Sequence, residues 1–107
     1  MSELSNRRCV PCRSDTPPLG EDRLRELSSQ VPEWEIVDGH HLRREFQFRN
    51  FLEALAFVNR VGELAEDQGH HPEISLGWGH AAFEIFTHAI DGLSENDFIL
   101  AAGVDAL

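Results

Sequence analysis

The sequence predicts an α+β two-layer fold: a four-stranded antiparallel sheet with three helices packed on one face. The order is helix, strand, strand, helix, strand, strand, helix. Three observations predict it. A helical apolar stripe fills residues 50–69, with end signals at both termini. Two hairpin signals, Asp38-Gly39 and Gly77-Trp78-Gly79, stand on either side of it between extended segments. A second helix start, Ser94 with Asp97 three residues on, precedes an apolar C-terminal run.

Each element has its local reason. Residues 1–19 are polar and Pro-rich and read as an irregular arm, with a single domain over 20–107. The first helix spans about Glu21 to Ser29. Glu21 and Asp22 suit its first turn, Leu24 and Leu27 form a short stripe, and Pro32 ends it. Trp34 to Val37 leads into the Asp38-Gly39 turn. The return arm, His41 to Phe48, places Leu42, Phe46 and Phe48 on one face, broken by Arg44 at the rim. Asn50 caps the second helix, whose buried face is Phe51, Ala54, Leu55, Val58, Val61, Leu64 and Ala65. Gly69 ends it. Strands at about Glu73 to Leu76 and His80 to Thr87 follow. Ser94 then starts the third helix, with Leu93 stapling onto Phe98. Hairpin-joined strands require an antiparallel sheet. Its open face and edges favour association with further copies.

The totals exclude several classes. With 107 residues the chain is one domain, large enough for a substantial core. Residues 1–50 hold eight Arg against nine acids, and residues 51–107 hold Arg60 alone against ten acids; Lys is absent. The acidic second half would repel a phosphate backbone, so no nucleic-acid partner is expected. Ala54 to Val58 and Phe98 to Ala102 are far too short to span a membrane. Met1 to Pro18 has no apolar core of a signal peptide, so a cytoplasmic location is expected. Cys9-Val10-Pro11-Cys12 admits half a zinc site, a redox pair or two free thiols.

The chemistry concentrates in Glu66-x3-His70-His71-Pro72-x5-Trp78-x9-His88-x8-Asp97. Histidine is the side chain whose ordinary titration suits proton transfer at neutral pH. Carboxylates can orient it, and an aromatic can hold a flat ligand. His71 precedes Pro72 and is pushed toward extended backbone, so His70 and His71 point to opposite sides. They cannot easily bind one metal ion, and no metal site is expected. Taken singly, each residue has a plain structural explanation: Asp97 as a helix-start residue, Trp78 as turn packing, His88 as a strand end. His40-His41 and His80 read as solvated.

Residues 66–97 resemble the signature of the pterin-4a-carbinolamine dehydratases, with every element present: Glu66, His70, His71, Pro72, Trp78, His88 and Asp97. Phe48-x2-Phe51-x2-Ala54-x2-Phe57 with Val61 is similar to the family's helix. Thr87-His88 with Gly92-Leu93-Ser94 is similar to its final strand and turn, and the Cys9–Cys12 segment with Pro17-Pro18-Leu19 to an arm of bacterial members. Ile74 and Ala81 depart from the pattern, standing where an aromatic and a larger branched residue are usual.

The resemblance implies the same two-layer fold, assembled as a homodimer or homotetramer. It implies elimination of water from a 4a-hydroxytetrahydropterin without metal or organic cofactor. Acid–base roles fall to His71 and His88 and hydroxyl binding to His70. Glu66 would bind the pterin's N–H edge, Trp78 would line its flat face beside Pro72, and Asp97 would orient a histidine. The resemblance also admits a rival: relatives of this fold assist Rubisco assembly in carboxysome-containing bacteria, which would make the Rubisco large subunit a partner.

Overall fold

Capping chemistry bounds the longest helix. In the computed structural model, which describes residues 3–10 and 17–107, α2 runs Phe51–Gln68. The Asn50 side chain accepts the Glu53 N–H at 2.9 Å. Glu53 reaches one residue beyond a capping box, accepting the Arg49 N–H at 3.0 Å and pairing with the Arg49 guanidinium at 2.6 Å. Gly69 ends the helix at φ +64, a left-handed conformation that glycine adopts without Cβ strain.

The remaining elements follow the predicted succession. A 3-10 turn at Glu3–Asn6 precedes α1 at Glu21–Ser28, β1 at Glu35–Val37 and β2 at His41–Gln47. After α2 come β3 at Glu73–Gly77, β4 at His80–Ile85, a 3-10 turn at His88–Ile90 and α3 at Glu95–Asp105. The sheet order is β1-β2-β4-β3, antiparallel throughout, so β1 and β3 are the edges. Cys12 lies outside the described residues, and with it the question of what the two cysteines do together.

The turns differ from expectation in detail. Asp38 and Gly39 both take positive φ, and the His40 N–H donates to the Val37 carbonyl at 2.9 Å. His40 is then one extra residue before the Val37–His41 pair. In the second hairpin Gly77 pairs with His80, so the turn is Trp78-Gly79 alone. Gly79 has φ +75, and its carbonyl accepts the Phe48 N–H at 2.8 Å. The last strand ends at Ile85 rather than Thr87. Thr87 and Gly92 pair across the following 3-10 turn, and this closes a small loop that carries His88.

The register places Leu42, Arg44 and Phe46 of β2, Ala81, Phe83 and Ile85 of β4, and Ile74 and Leu76 of β3 on the helix side. Leu42, Ala81, Phe83 and Ile85 have no exposed surface and pack with Val61, Phe98 and Leu100. Arg44, the break in the apolar face, lies over the Phe46 ring at 4.2 Å and pairs with Asp105 at 2.7 Å. The Trp34 indole N–H donates to the same Asp105 oxygen at 2.8 Å. One carboxylate at the end of α3 thereby ties down both β2 and the segment before β1.

The third helix is apolar almost all round, and Asn96 through Ala102 with Val104 are buried. Such a helix needs cover on every side. The sheet, α1 and α2 supply part of it, and the arm supplies more. Leu4, on the arm's 3-10 turn, is 2% exposed. No helix among the described residues is long and apolar enough to cross a membrane.

Glu95, in the first turn of α3, joins the arm to α1. It pairs with Arg7 at 2.9 Å and Arg23 at 3.0 Å. The hydrogen bond from Arg23, with that from Arg7, holds its carboxyl below the ordinary value of 4.5. A carboxyl depressed in the folded state stabilises the fold above its unfolded value and loses that effect as pH falls through the folded one. Glu95→Gln should therefore lower the melting temperature by a constant amount at pH 5–8. The gap from the parent protein should close as pH falls below about 4.5 in a calorimetric series.

Candidate active site

The end of the sheet opposite the Trp78-Gly79 turn gathers the chemistry. There α2 ends, β3 begins and β4 finishes, so residues 70–72 and 86–88 are brought side by side. A cleft of about 380 Å³ opens between them. His70, His71 and His88 all line it, together with Thr87, Gln68 and Asn96.

Beneath the cleft lies Asp97, with no exposed surface. A buried carboxylate is tolerated only when its lone pairs are satisfied. Asp97 Oδ1 faces His70 Nε2 at 2.6 Å, and Oδ2 accepts the Thr87 hydroxyl at 2.9 Å and the Ser94 N–H at 2.7 Å. The Ser94 N–H bond is half of the capping box at the start of α3, so the helix cap and the site share one carboxylate. Because the Thr87 proton goes to Asp97, the 2.7 Å contact between Thr87 and Ser94 is donated by the Ser94 hydroxyl. With Nε2 donating to the carboxylate, a neutral His70 keeps Nδ1 as an acceptor.

His71 is held differently. Its Nε2 meets Glu66 Oε1 at 2.7 Å, and the side chains are 59% and 80% exposed. The two neighbouring rings thus go to different carboxylates, one buried and one solvated. Pro72 sits half-buried between His71 and β3. His88 opens the 3-10 turn after β4, exposed, its ring 4.2 Å from that of Phe86. Among the described residues no group of three or more His, Cys, Asp or Glu is arranged to hold a metal ion.

Of the expected residues, Asp97 lies beneath the cleft and Pro72 flanks His71, and neither is among the lining residues; Glu66 and Trp78 stand further apart. Glu66 touches the site through His71 and itself lines a neighbouring groove with Val58 and Ile74. Trp78 is 71% exposed on the turn at the other end of β3, five strand residues from the histidines, or about 16 Å. Within one chain it does not reach them.

The histidine pair His40-His41, at the start of β2, is not solvated as expected. His40 bonds Asp91 at 2.8 Å and His41 at 3.1 Å, and its ring lies 4.6 Å from Phe86. It thus braces the loop that carries His88. His80 is exposed, as read from the sequence. Sequence reasoning missed Thr87, Gln68 and Asn96. Thr87 alone had a signal, in its position beside His88.

An α+β two-layer domain with three histidines in one cleft over a buried carboxylate is, by class, a site equipped for proton transfer. The chain belongs to the pterin 4 alpha carbinolamine dehydratase family, whose model matches residues 17–107. A protein of Rubrobacter xylanophilus, provisionally named pterin-4-alpha-carbinolamine dehydratase, is 62% identical over 107 residues, covering all of both chains. One of the same provisional name from Alkaliphilus metalliredigens is 50% identical over 106 residues, 98% of this chain and 96% of the other. The crystal structure of a transcriptional coactivator/pterin dehydratase from Brucella melitensis superposes with a TM-score of 0.78. It is 28% identical and covers 84% of this chain and 97% of that one.

Removing the Asp97 carboxylate leaves His70, Thr87 and the Ser94 N–H without their buried partner. Asp97→Ala should lower unfolding stability by about 3 kcal/mol in a urea titration. A loss under about 1 kcal/mol would mean that the network is not holding these elements together.

Proposed function

We propose that the chain is a 4a-hydroxytetrahydropterin dehydratase, a hydro-lyase that forms a quinonoid dihydropterin and water. The observation that carries this reading is the convergence of His70, His71 and His88 on one cleft of about 380 Å³, a size that suits a bicyclic ligand. The reaction breaks the C4a–O bond. One proton must reach the departing hydroxyl and one must leave a ring nitrogen, so the substrate loses water and its electrons redistribute within the ring. His71 and His88 serve as the acid and base. Both are exposed enough to exchange protons with solvent between turnovers.

His70 binds the 4a-hydroxyl. Its Nε2 bond to Asp97 fixes the tautomer, so Nδ1 is the nitrogen left for the substrate. Glu66 acts at the cleft's edge through His71 and on the pterin's N–H groups. Neither step calls for a metal or organic cofactor. The protein works as a homo-oligomer in this reading. β3 is an open edge, and exposed Leu52, Phe51 and Ile74 lie on α2 and β3 beside it. The Rubisco-assembly alternative rests on the family resemblance alone, and no particular contact favours it.

His71→Ala and His88→Ala should each lower kcat by about a hundredfold or more in a stopped-flow dehydration assay. Each should also remove one limb of the pH–rate profile. If both variants turn over at the parent rate across that profile, the acid–base assignment is wrong.

A further inference from the structure

The cleft has a wall that comes from outside the segment matched by the family model. Leu4 anchors the arm in the core. Arg7 pairs with Glu95 at 2.9 Å, and Arg8 reaches the Asp67 carboxylate at 3.2 Å and carbonyl at 3.0 Å. These contacts fasten the arm across the end of α2 and the start of α3. The residues that follow are gripped by their main chain. The Cys9 N–H donates to Gln68 Oε1 at 2.7 Å, and the Val10 N–H to Asn96 Oδ1 at 2.9 Å. Asn96 Nδ2 donates back to the Val10 carbonyl. Asn96 is 4% exposed, so the amide that addresses both main-chain groups of Val10 is itself fixed by burial.

This double grip sets the Val10 side chain at the cleft, where it is 66% exposed. Val10 brings the one branched apolar side chain among the described lining residues. The rest are polar apart from Gly69 and Ala89. A flat heterocycle needs both kinds of surface, polar groups for its edges and an apolar one for its face. The histidines supply the first. Trp78, the aromatic expected to supply the second, stands at the far end of β3.

We infer that Val10 is a substrate-binding residue that covers one face of the bound pterin ring, held in place by Asn96 and Gln68 as positioning residues. The inference rests on the dehydratase reading and adds to it a binding contact from the arm. An arm seated in this way also restricts the cleft on the side of α3, so the ring enters between Val10 and His88.

The test uses the full-length protein with Val10→Ser, which keeps a small side chain but makes it polar, and Val10→Ile, which keeps the apolar branch. Val10→Ser should raise KM for a 4a-hydroxytetrahydropterin about fivefold, with kcat within about twofold of the parent. Val10→Ile should restore the parent KM. In parallel, titration calorimetry with 7,8-dihydropterin should show the same rise in Kd for Val10→Ser and recovery for Val10→Ile. An unchanged KM and Kd in Val10→Ser overturns the inference. So does an equal rise in both variants, which would report a general disturbance of the arm. A rise in Trp78→Ala without one in Val10→Ser would overturn it too, by assigning the ring face to a second copy's hairpin. A parent protein that binds 7,8-dihydropterin without turnover sinks the dehydratase reading, and the Kd series still decides the role of Val10. A parent protein that does neither sinks both.

Discussion

A carboxylate without exposed surface organises this protein. Removing Asp97 from water is unfavourable unless its oxygens are satisfied, and no single element can satisfy them. The capping position supplies one donor, the Ser94 N–H, for purely local reasons. The others come from Thr87, past the end of β4, and His70, past the end of α2. Burial of Asp97 therefore requires three chain segments to meet, and where they meet is the floor of the cleft. The same charge sits in the first turn of α3, where the helix dipole favours it. The fold and the site share this requirement, so a change that loosens one loosens the other.

The third helix imposes the second constraint. Its sequence has no polar face, so it is stable only if covered from all sides. The sheet, α1 and α2 leave a sector that the arm fills, with Leu4 buried and Arg7 tied to Glu95. Covering α3 carries the arm past the α2 terminus, where Gln68 and Asn96 take hold of Cys9 and Val10. An element recruited to bury apolar surface is thereby delivered to the rim of the histidine-lined cleft.

What was legible in the sequence was whatever is local. Asn50, Gly69 and the Ser94–Asp97 pair specify helix ends through contacts three or four residues long, and all three stand as read. Alternation and the Asp38-Gly39 turn fixed the hairpins for the same reason. Tertiary contacts were not legible. His40 looked like half of an idle surface pair because its partners, Asp91 and Phe86, are some fifty residues away. Asn96 drew no reading from the sequence, because its partner is Val10, 86 residues away. Trp78 shows the converse. Its place in the motif suggested proximity, but β3 runs away from the histidines and carries the turn with it.

The adjacent histidines show how two carboxylate partners yield two chemical behaviours. Pro72 disfavours a helical backbone at His71, and although both rings line the cleft they go to different carboxylates. His70 is 13% exposed against a partner with no exposure, so its ring is locked by burial and by a short bond. His71 and Glu66 are both mostly in solvent, where a hydrogen bond is weak and readily exchanged. A group that orients a substrate gains from the first arrangement, since rotation would lose the geometry. A group that delivers protons and is recharged from water gains from the second. Two identical side chains, one residue apart, are made unequal by which carboxylate each meets, and that inequality is what divides the proposed roles between them.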